Sequence, residues 1–417
     1  MNLKMRLIVM NFLQFFIWGS WLLTIGSYWF HTKEWSGAEF GAIFSTMGIS
    51  SLFMPTLAGI IADRFISTEK LYGFFHIIGA FVLFYVPQVN DPKTMFWVLL
   101  INMIFYMPTI SLSISLAYTA LKNNNYDIVK VYPPIRVWGT VGFIAALWTV
   151  NLLGFGVSSN QFYLASVSSF LLGIYSFTLP NCPPNKTQET KGFMASLGLS
   201  AFSLFKNPKI ATFFIFAMFL GASLQLTNAY GDTYLLDFEK NDIYKDSFVV
   251  KYSQIIMSIS QISETLFILT IPFFLKRFGI KSVMLFSMIA WVLRFGLFAY
   301  GNPTDGLWMI IASCIIYGMA FDFFNISGSL FVETQSDPKI RSSVQGLFMM
   351  MVNGVGAVMG SLGSGYIIQT YFTHENKSLD WQGIWTTFAI YSAIIAVLFA
   401  ILFKHKHDLK EVENISH

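Results

Sequence analysis

Two acids sit where acids are expensive. Glu264 lies near the middle of "SISQISETLFILTIPFF" (258–274), and Asp322 lies inside "YGMAFDFFNISGSLFVE" (317–333). A charged side chain at the centre of a bilayer costs about 2.5–3.5 kcal/mol even on the lenient insertion scale. Gln or Ser would serve a packing role at lower cost. A buried carboxylate can load and release a proton near neutral pH. Glu264 and Asp322 are therefore candidates for a functional role beyond packing, as sites where a proton could be held. Polar residues around them recur at spacings of three or four, which puts them on one face of a helix. The stripes are Gln225, Asn228 and Asp232; Gln254, Ser258, Gln261 and Glu264; and Tyr317, Phe321, Asp322 and Asn325. Earlier stripes are Asn11, Gln14, Trp18 and Trp21; Asn102, Tyr106, Thr109 and Ser113; and Arg136, Thr140 and Phe143.

A cavity lined by Gln14, Gln225, Asn228 and Gln261, with Trp18, Phe143, Tyr317 and Phe321, suits a neutral, hydroxylated, partly aromatic solute. Amides offer both donors and acceptors, and aromatic faces offer stacking. A strongly anionic solute would call for more cationic groups. Sugars, nucleosides and similar polyols all remain open on this chemistry. Lone Ser and Thr residues and His76 read as hydrogen-bonding groups that hold helices together. Arg136 opens its apolar run and could snorkel to the surface, while Arg294 reads as a structural pairing.

The elements that carry these residues are membrane spans. The 417-residue chain is 55% hydrophobic, 18% aromatic and only 12% charged, against about 25% charged in soluble domains. Its mean hydropathy is +0.58. Basic residues fall in short connections, so the positive net charge reflects topology and not nucleic-acid binding. Cys182 and Cys314 are far apart, and no disulfide framework, metal spacing or cofactor motif is present. At roughly 20 apolar residues per span, twelve spans are expected, at about 6–30, 38–62, 70–89, 95–121, 133–155, 160–180, 209–236, 248–275, 280–300, 305–332, 340–372 and 381–404. The first reads as an uncleaved span and not a signal peptide. Eighteen Lys and Arg lie on one side and six on the other. The positive-inside rule then puts both termini in the cytoplasm.

The expected organisation is a six-helix bundle at 1–180, a cytoplasmic loop at 181–208, a second bundle at 209–404 and a cytoplasmic tail at 405–417. The loop contains "GFMASLGLSAFSLF", an amphipathic segment suited to a membrane surface. "GIIADRF…EK" (59–70) and "FFLKRFGIK" (273–281) occupy matching turns in the two halves. A repeated pair of halves favours a transporter with its substrate site between them near the midplane. Gly59, Asp63 and Arg64 resemble the turn motif of the major facilitator superfamily. The glycine and basic pair that should follow are replaced by "ISTEK". The second copy keeps Arg277, Gly279 and Lys281 but has Lys276 in place of the acid. The resemblance implies an all-α polytopic membrane protein with the major facilitator fold, its twelve transmembrane helices in two pseudo-symmetric halves.

Four longer segments carry a more specific resemblance. "MNFLQFFIWGSWLLTIGSYWF", "PPIRVWGTVGF", "IMSISQISETLFILTIPFF" and "YGMAFDFFNISGSLFVE" are similar to the nucleoside:proton symporter family, and the likeness runs over essentially the whole chain. It implies inward proton flow coupled to uptake of purine and pyrimidine nucleosides, such as uridine and adenosine, across a bacterial cytoplasmic membrane. It also implies a substrate site of Arg136, Thr140, Phe143, Gln225, Asn228, Gln261, Glu264, Tyr317, Phe321 and Asp322, in a protein complete as a monomer. Two rivals stand beside it. A sugar:proton symporter would share the layout. A polytopic membrane transferase would need a catalytic loop, and the longest connection has no His, no useful acid pair and no phosphate cradle.

Overall fold

The computed structural model describes residues 2–184, 204–335 and 341–406, and two stretches that bear on the sequence reading lie outside these. One is most of the amphipathic segment in the central loop. The other is most of the expected tail.

The described chain is helical. In order the helices are α1 (Leu3–Gly19), α2 (Gly37–Arg64), α3 (Thr68–Tyr85), α4 (Pro92–Asn123), α5 (Ile128–Leu152), α6 (Asn160–Ser176), α7 (Pro208–Asp237), α8 (Ser253–Tyr300), α9 (Leu307–Thr334), α10 (Arg341–Met349), α11 (Ala357–Tyr371) and α12 (Trp381–Leu402). Nine helices among the described residues are long and apolar enough to cross a membrane. Helices α1 and α6 have 17 residues each and fall just short.

Local chemistry sets the boundaries. Ser36 and Glu39 form a capping box at the start of α2, with Ser36 Oγ donating to Glu39 Oε2 at 2.8 Å. Asp91 precedes Pro92 and accepts from the Thr94 N–H at 2.8 Å, satisfying one of the free donors at the start of α4. Asp380 caps α12 by accepting from Gly383 N at 3.0 Å. The 48-residue α8 is broken at Gly279, whose φ of 77° is open to glycine but not to most side chains. A straight helix of that length would run about 72 Å, more than twice the hydrocarbon core. Gly279 turns it into two arms.

The first expected span is not one continuous helix. Helix α1 ends at Gly19, a turn follows, and a π-helical turn covers Tyr28–Thr32. Ser20 Oγ donates back to the Phe16 carbonyl at 2.7 Å. Such back-bonding, beside a Gly–Ser pair, bends or breaks a helix.

The chain divides into two compact units, Met1–Leu197 and Gly198–His417. In the first, α1 packs against α5 through glycines. A Cβ at Gly142 would overlap the Phe12 backbone, and one at Gly19 would lie 2.7 Å from the Phe143 carbonyl oxygen. In the second unit, α7 meets the π-helical segment Met350–Gly356 and α11 in the same way. There Gly221 faces the Val352 backbone and Gly360 faces Ala222. Small residues let helix backbones approach, which is how bundles pack in lipid.

The core of the first unit contains a polar cluster centred on Gln14, which is fully buried. Its Oε1 accepts from Tyr72 OH at 2.6 Å and lies 2.9 Å from His76 Nε2. Its Nε2 donates to Thr109 Oγ1 at 2.8 Å, and its backbone oxygen accepts from Tyr106 OH at 2.7 Å. An amide oxygen only accepts, so His76 Nε2 carries a hydrogen. His76 Nδ1 faces Ser169 Oγ at 3.2 Å. The network ties α1, α3, α4 and α6 together. Gln14 is thus a connector and does not line a cavity.

Where α3 begins, the extended segment leaving α6 is docked onto it. Glu69 Oε2 accepts from Cys182 N at 2.9 Å, and Thr68 N donates to the Cys182 carbonyl at 3.1 Å. Glu69 and Cys182 are both buried. Burial, reinforced by the neighbouring Glu69 charge, pushes the Cys182 thiol up to about 11.

Gln14→Leu removes the acceptor of two buried donors and should cost about 1–3 kcal/mol. The expected result is a lower melting temperature in detergent with the transport KM unchanged. Cys182 should resist maleimide at pH 7, because the thiolate is the reactive form and grows only as pH rises toward 11. Glu69→Ala should speed labelling by freeing the docked segment. Equal rates in the two proteins would refute the docking.

Candidate functional site

In the second unit the polar stripes separate into two kinds. Some groups have their hydrogen-bonding capacity filled. Asp232 on α7 is fully buried; it accepts from Ser253 Oγ at 2.8 Å and from Gln254 Nε2 at 2.9 and 3.1 Å. Asp232 and Gln254 thereby tie α7 to the start of α8. Others retain unused capacity. Gln225 Oε1, Gln261 Oε1 and Asp322 Oδ2 are buried and have no hydrogen-bond partner among the described residues. Buried polar atoms are nearly always paired, so each such atom needs an explanation.

Glu264 reaches α9 because of a glycine. A Cβ on Gly318 would lie 2.6 Å from the Ser263 carbonyl carbon and oxygen and 2.7 Å from Glu264 N. Ser263 Oγ donates to the Ile315 carbonyl across the same contact. The first arm of α8 and helix α9 therefore touch backbone to backbone at the acid. Glu264 is half-buried and Asp322 only 4% exposed. One turn along α9, the Tyr317 and Phe321 rings lie parallel, 5.9 Å apart and 6° from coplanar. A small apolar cavity beside Phe321 is lined by Leu224, Trp291, Phe324 and Asn325 among others. Gln225 follows Leu224 on α7, and half-buried Asn228 is three residues further.

In the first unit, Arg136, Thr140 and Phe143 follow one face of α5. Arg136 does not extend away to the surface: its guanidinium carbon lies 4.1 Å from the centre of the Phe15 ring. Gly139 makes room for this pair, since a Cβ there would come within 2.7 Å of both. Thr140 is half-buried and Phe143 buried. On α1, Trp18 stands 5.6 Å from Tyr106, and its buried Nε1 has no hydrogen-bond partner among the described residues.

Each sequence-predicted residue can thus be located within its own unit. Glu264, Tyr317, Phe321 and Asp322 form one group across α8 and α9. Arg136, Thr140 and Phe143 form another beside α1. Gly318 was not singled out from sequence, although it lies inside one of the diagnostic segments. A packing glycine carries no local signal beyond its small size. Arg294 was read as a structural pairing; it is fully buried, and no ion pair to it occurs among the described residues.

The profile of the nucleoside H+ symporter family matches residues 1–408. Nucleoside permease NupG of Escherichia coli (strain K12) is 51% identical over 408 residues, covering 98% of this chain and 97% of the relative. Xanthosine permease of the same organism is 53% identical over 415 residues, covering 99% of each. A crystal structure of nucleoside transporter NupG superposes with a TM-score of 0.92, at 51% identity over 97% of this chain and 100% of that one. An all-α, multi-pass chain of the major facilitator type, matched from end to end by one profile, belongs to the nucleoside H+ symporter family.

Proposed function

We propose that this symporter takes up both purine and pyrimidine nucleosides, uridine and adenosine among them, with Glu264 and Asp322 as its proton-handling pair. It is a transporter and not an enzyme, and it carries nucleoside together with protons. Twelve spans are the reading that Gly279 supports, since it divides α8 into two arms. The inferred setting is the bacterial cytoplasmic membrane with both termini inside, and the inferred active form is a monomer.

The observation that carries the residue assignment is the backbone contact at Gly318, which puts one acid on each side of a single helix–helix junction. Two acids on either side of one helix–helix contact are a place where a proton can reside and be passed on. The unpartnered amide oxygens of Gln225 and Gln261 suit donors on a ribose or base edge. Asn228 supplies a further amide. The parallel Tyr317 and Phe321 rings suit the flat base. Arg136, Thr140 and Phe143 are the contribution assigned to the first unit. Asp322 either shares the proton or accepts from ribose hydroxyls.

Each proton entering gains about 2.3 kcal/mol per 100 mV, inside negative. At one proton per nucleoside that permits about fifty-fold accumulation per 100 mV. Protonation and nucleoside occupancy together license the switch between outward- and inward-facing states.

Uptake of labelled uridine into proteoliposomes, with and without an imposed proton gradient, tests the whole assignment. Accumulation should collapse with a protonophore and be competed by adenosine. Competition by xanthosine alone would narrow the base preference, and displacement by a disaccharide would move the substrate to sugars. Glu264→Gln should abolish accumulation and leave downhill exchange intact. Continued uphill transport by this variant would shift the coupling role to Asp322. Gly318→Ala places a methyl against backbone and should destabilise by about 1–3 kcal/mol with loss of transport. Gly296→Ala, where nothing lies within 4 Å of a new Cβ, should behave as wild type.

A further inference from the structure

Arg294 is a buried cation that the transport mechanism above does not use. It sits on the second arm of α8 and is 0% exposed. Its Nη1 donates to the Ser313 carbonyl at 2.7 Å and to Ser260 Oγ at 3.5 Å, and its Nε donates to Thr227 Oγ1 at 3.3 Å. One side chain thus joins α7, both arms of α8, and α9. Ser313 Oγ returns a bond to the Arg294 carbonyl at 2.9 Å. The Nη2 nitrogen is buried without a hydrogen-bond partner among the described residues. Burying a charge without a counter-ion is costly, and neutral side chains would join the same helices at less cost. Something else must need the guanidinium.

What it faces is aromatic. Its central carbon lies 4.6 Å from the centre of the Tyr317 ring and 5.2 Å from that of Phe298. The Tyr317 ring is held edge-on by Trp291 at 6.1 Å and 88°. It also lies parallel to Phe321 at 5.9 Å. A planar cation packed on a ring and anchored by three further hydrogen bonds has little freedom, and the ring it touches shares that restriction.

We infer that Arg294 is a positioning residue for substrate: it fixes the Tyr317 ring, and through it Phe321, as a platform for the planar purine or pyrimidine base. This rests on the assignment of Tyr317 and Phe321 to the nucleoside site. Lysine would keep the charge but lose the flat face and the forked donors, so the platform would loosen although the cation remained. Thr227 serves the same platform from α7 by steadying Nε.

A double-mutant cycle on uridine binding separates the possibilities. Equilibrium Kd is measured on purified full-length protein for wild type, Tyr317→Leu, Arg294→Lys and the double variant, with melting temperature alongside. Arg294→Lys should weaken uridine about tenfold in the wild-type background and less than about threefold when Tyr317 is already Leu. A Kd unchanged in Tyr317→Leu would overturn the site assignment itself. A weakened Tyr317→Leu with an unaffected Arg294→Lys would leave the site standing and overturn the platform. Equal losses in both backgrounds would also overturn it, because Arg294 would then act independently of the ring. Should Arg294→Lys fail to fold, Thr227→Val replaces it in the cycle. The same non-additive loss, smaller in size, is expected there, and a lower melting temperature with unchanged Kd in all backgrounds would overturn the inference.

Discussion

The backbone contact between Gly318 and Ser263–Glu264 is the constraint on which the acid pair depends. A helix surface normally keeps its neighbour 8–10 Å away, axis to axis. Removing one side chain lets two helices meet at the peptide groups themselves. The acid on α8 is then held against α9, and Asp322 stands one turn beyond Gly318 on that same helix. Ser263 locks the junction by donating to the Ile315 carbonyl. With no Cβ at position 318, the approach of the two helix backbones at Glu264 is set by direct packing.

The accounting of hydrogen bonds separates filled polar groups from unfilled ones more sharply than burial does. Gln14, Asp232 and Gln225 are equally buried. Gln14 makes four hydrogen-bonding contacts, and Asp232 accepts from two side chains. Gln225 leaves its carbonyl oxygen without a partner among the described residues. In a medium with no water to compensate, a filled network holds helices together, whereas an unfilled group keeps capacity for a further partner. Depth in the bundle alone would have ranked all three alike.

Much of this was legible in the sequence, for reasons that differ by residue. Glu264 and Asp322 stand out because charge in an apolar run is rare and expensive. The approximate span limits were readable from hydropathy, whereas caps such as Asp91–Pro92 and Ser36–Glu39 fix the ends in the structure. The break after Gly19 was not, since it depends on the Ser20 hydroxyl returning to the Phe16 carbonyl within an apolar run. Gln14 was misjudged because a stripe of polar residues gives the face of a helix but not what that face meets. Its partners Tyr72, His76 and Thr109 are 58, 62 and 95 residues away. Gly318 was invisible for the opposite reason: its effect comes from an absent side chain. Arg294 could be seen as a buried charge, yet its aromatic partners come from both its own helix and α9.

The two units use the same packing device for different ends. In each, glycines press the first helix of the unit against a later one: Gly19 and Gly142 between α1 and α5, Gly221 and Gly360 between α7 and α11. The chemistry laid over it differs between the two units. The first unit holds a neutral network around Gln14, with the buried Glu69 apart from it where α3 begins. The second unit fills its centre with charge: Asp232, Glu264, Arg294 and Asp322 all lie on α7, α8 and α9. Neutral polar networks resist change because no proton is gained or lost when they form. Charged interiors respond to protons and to ligands because each event alters a large electrostatic energy in a medium that screens it poorly.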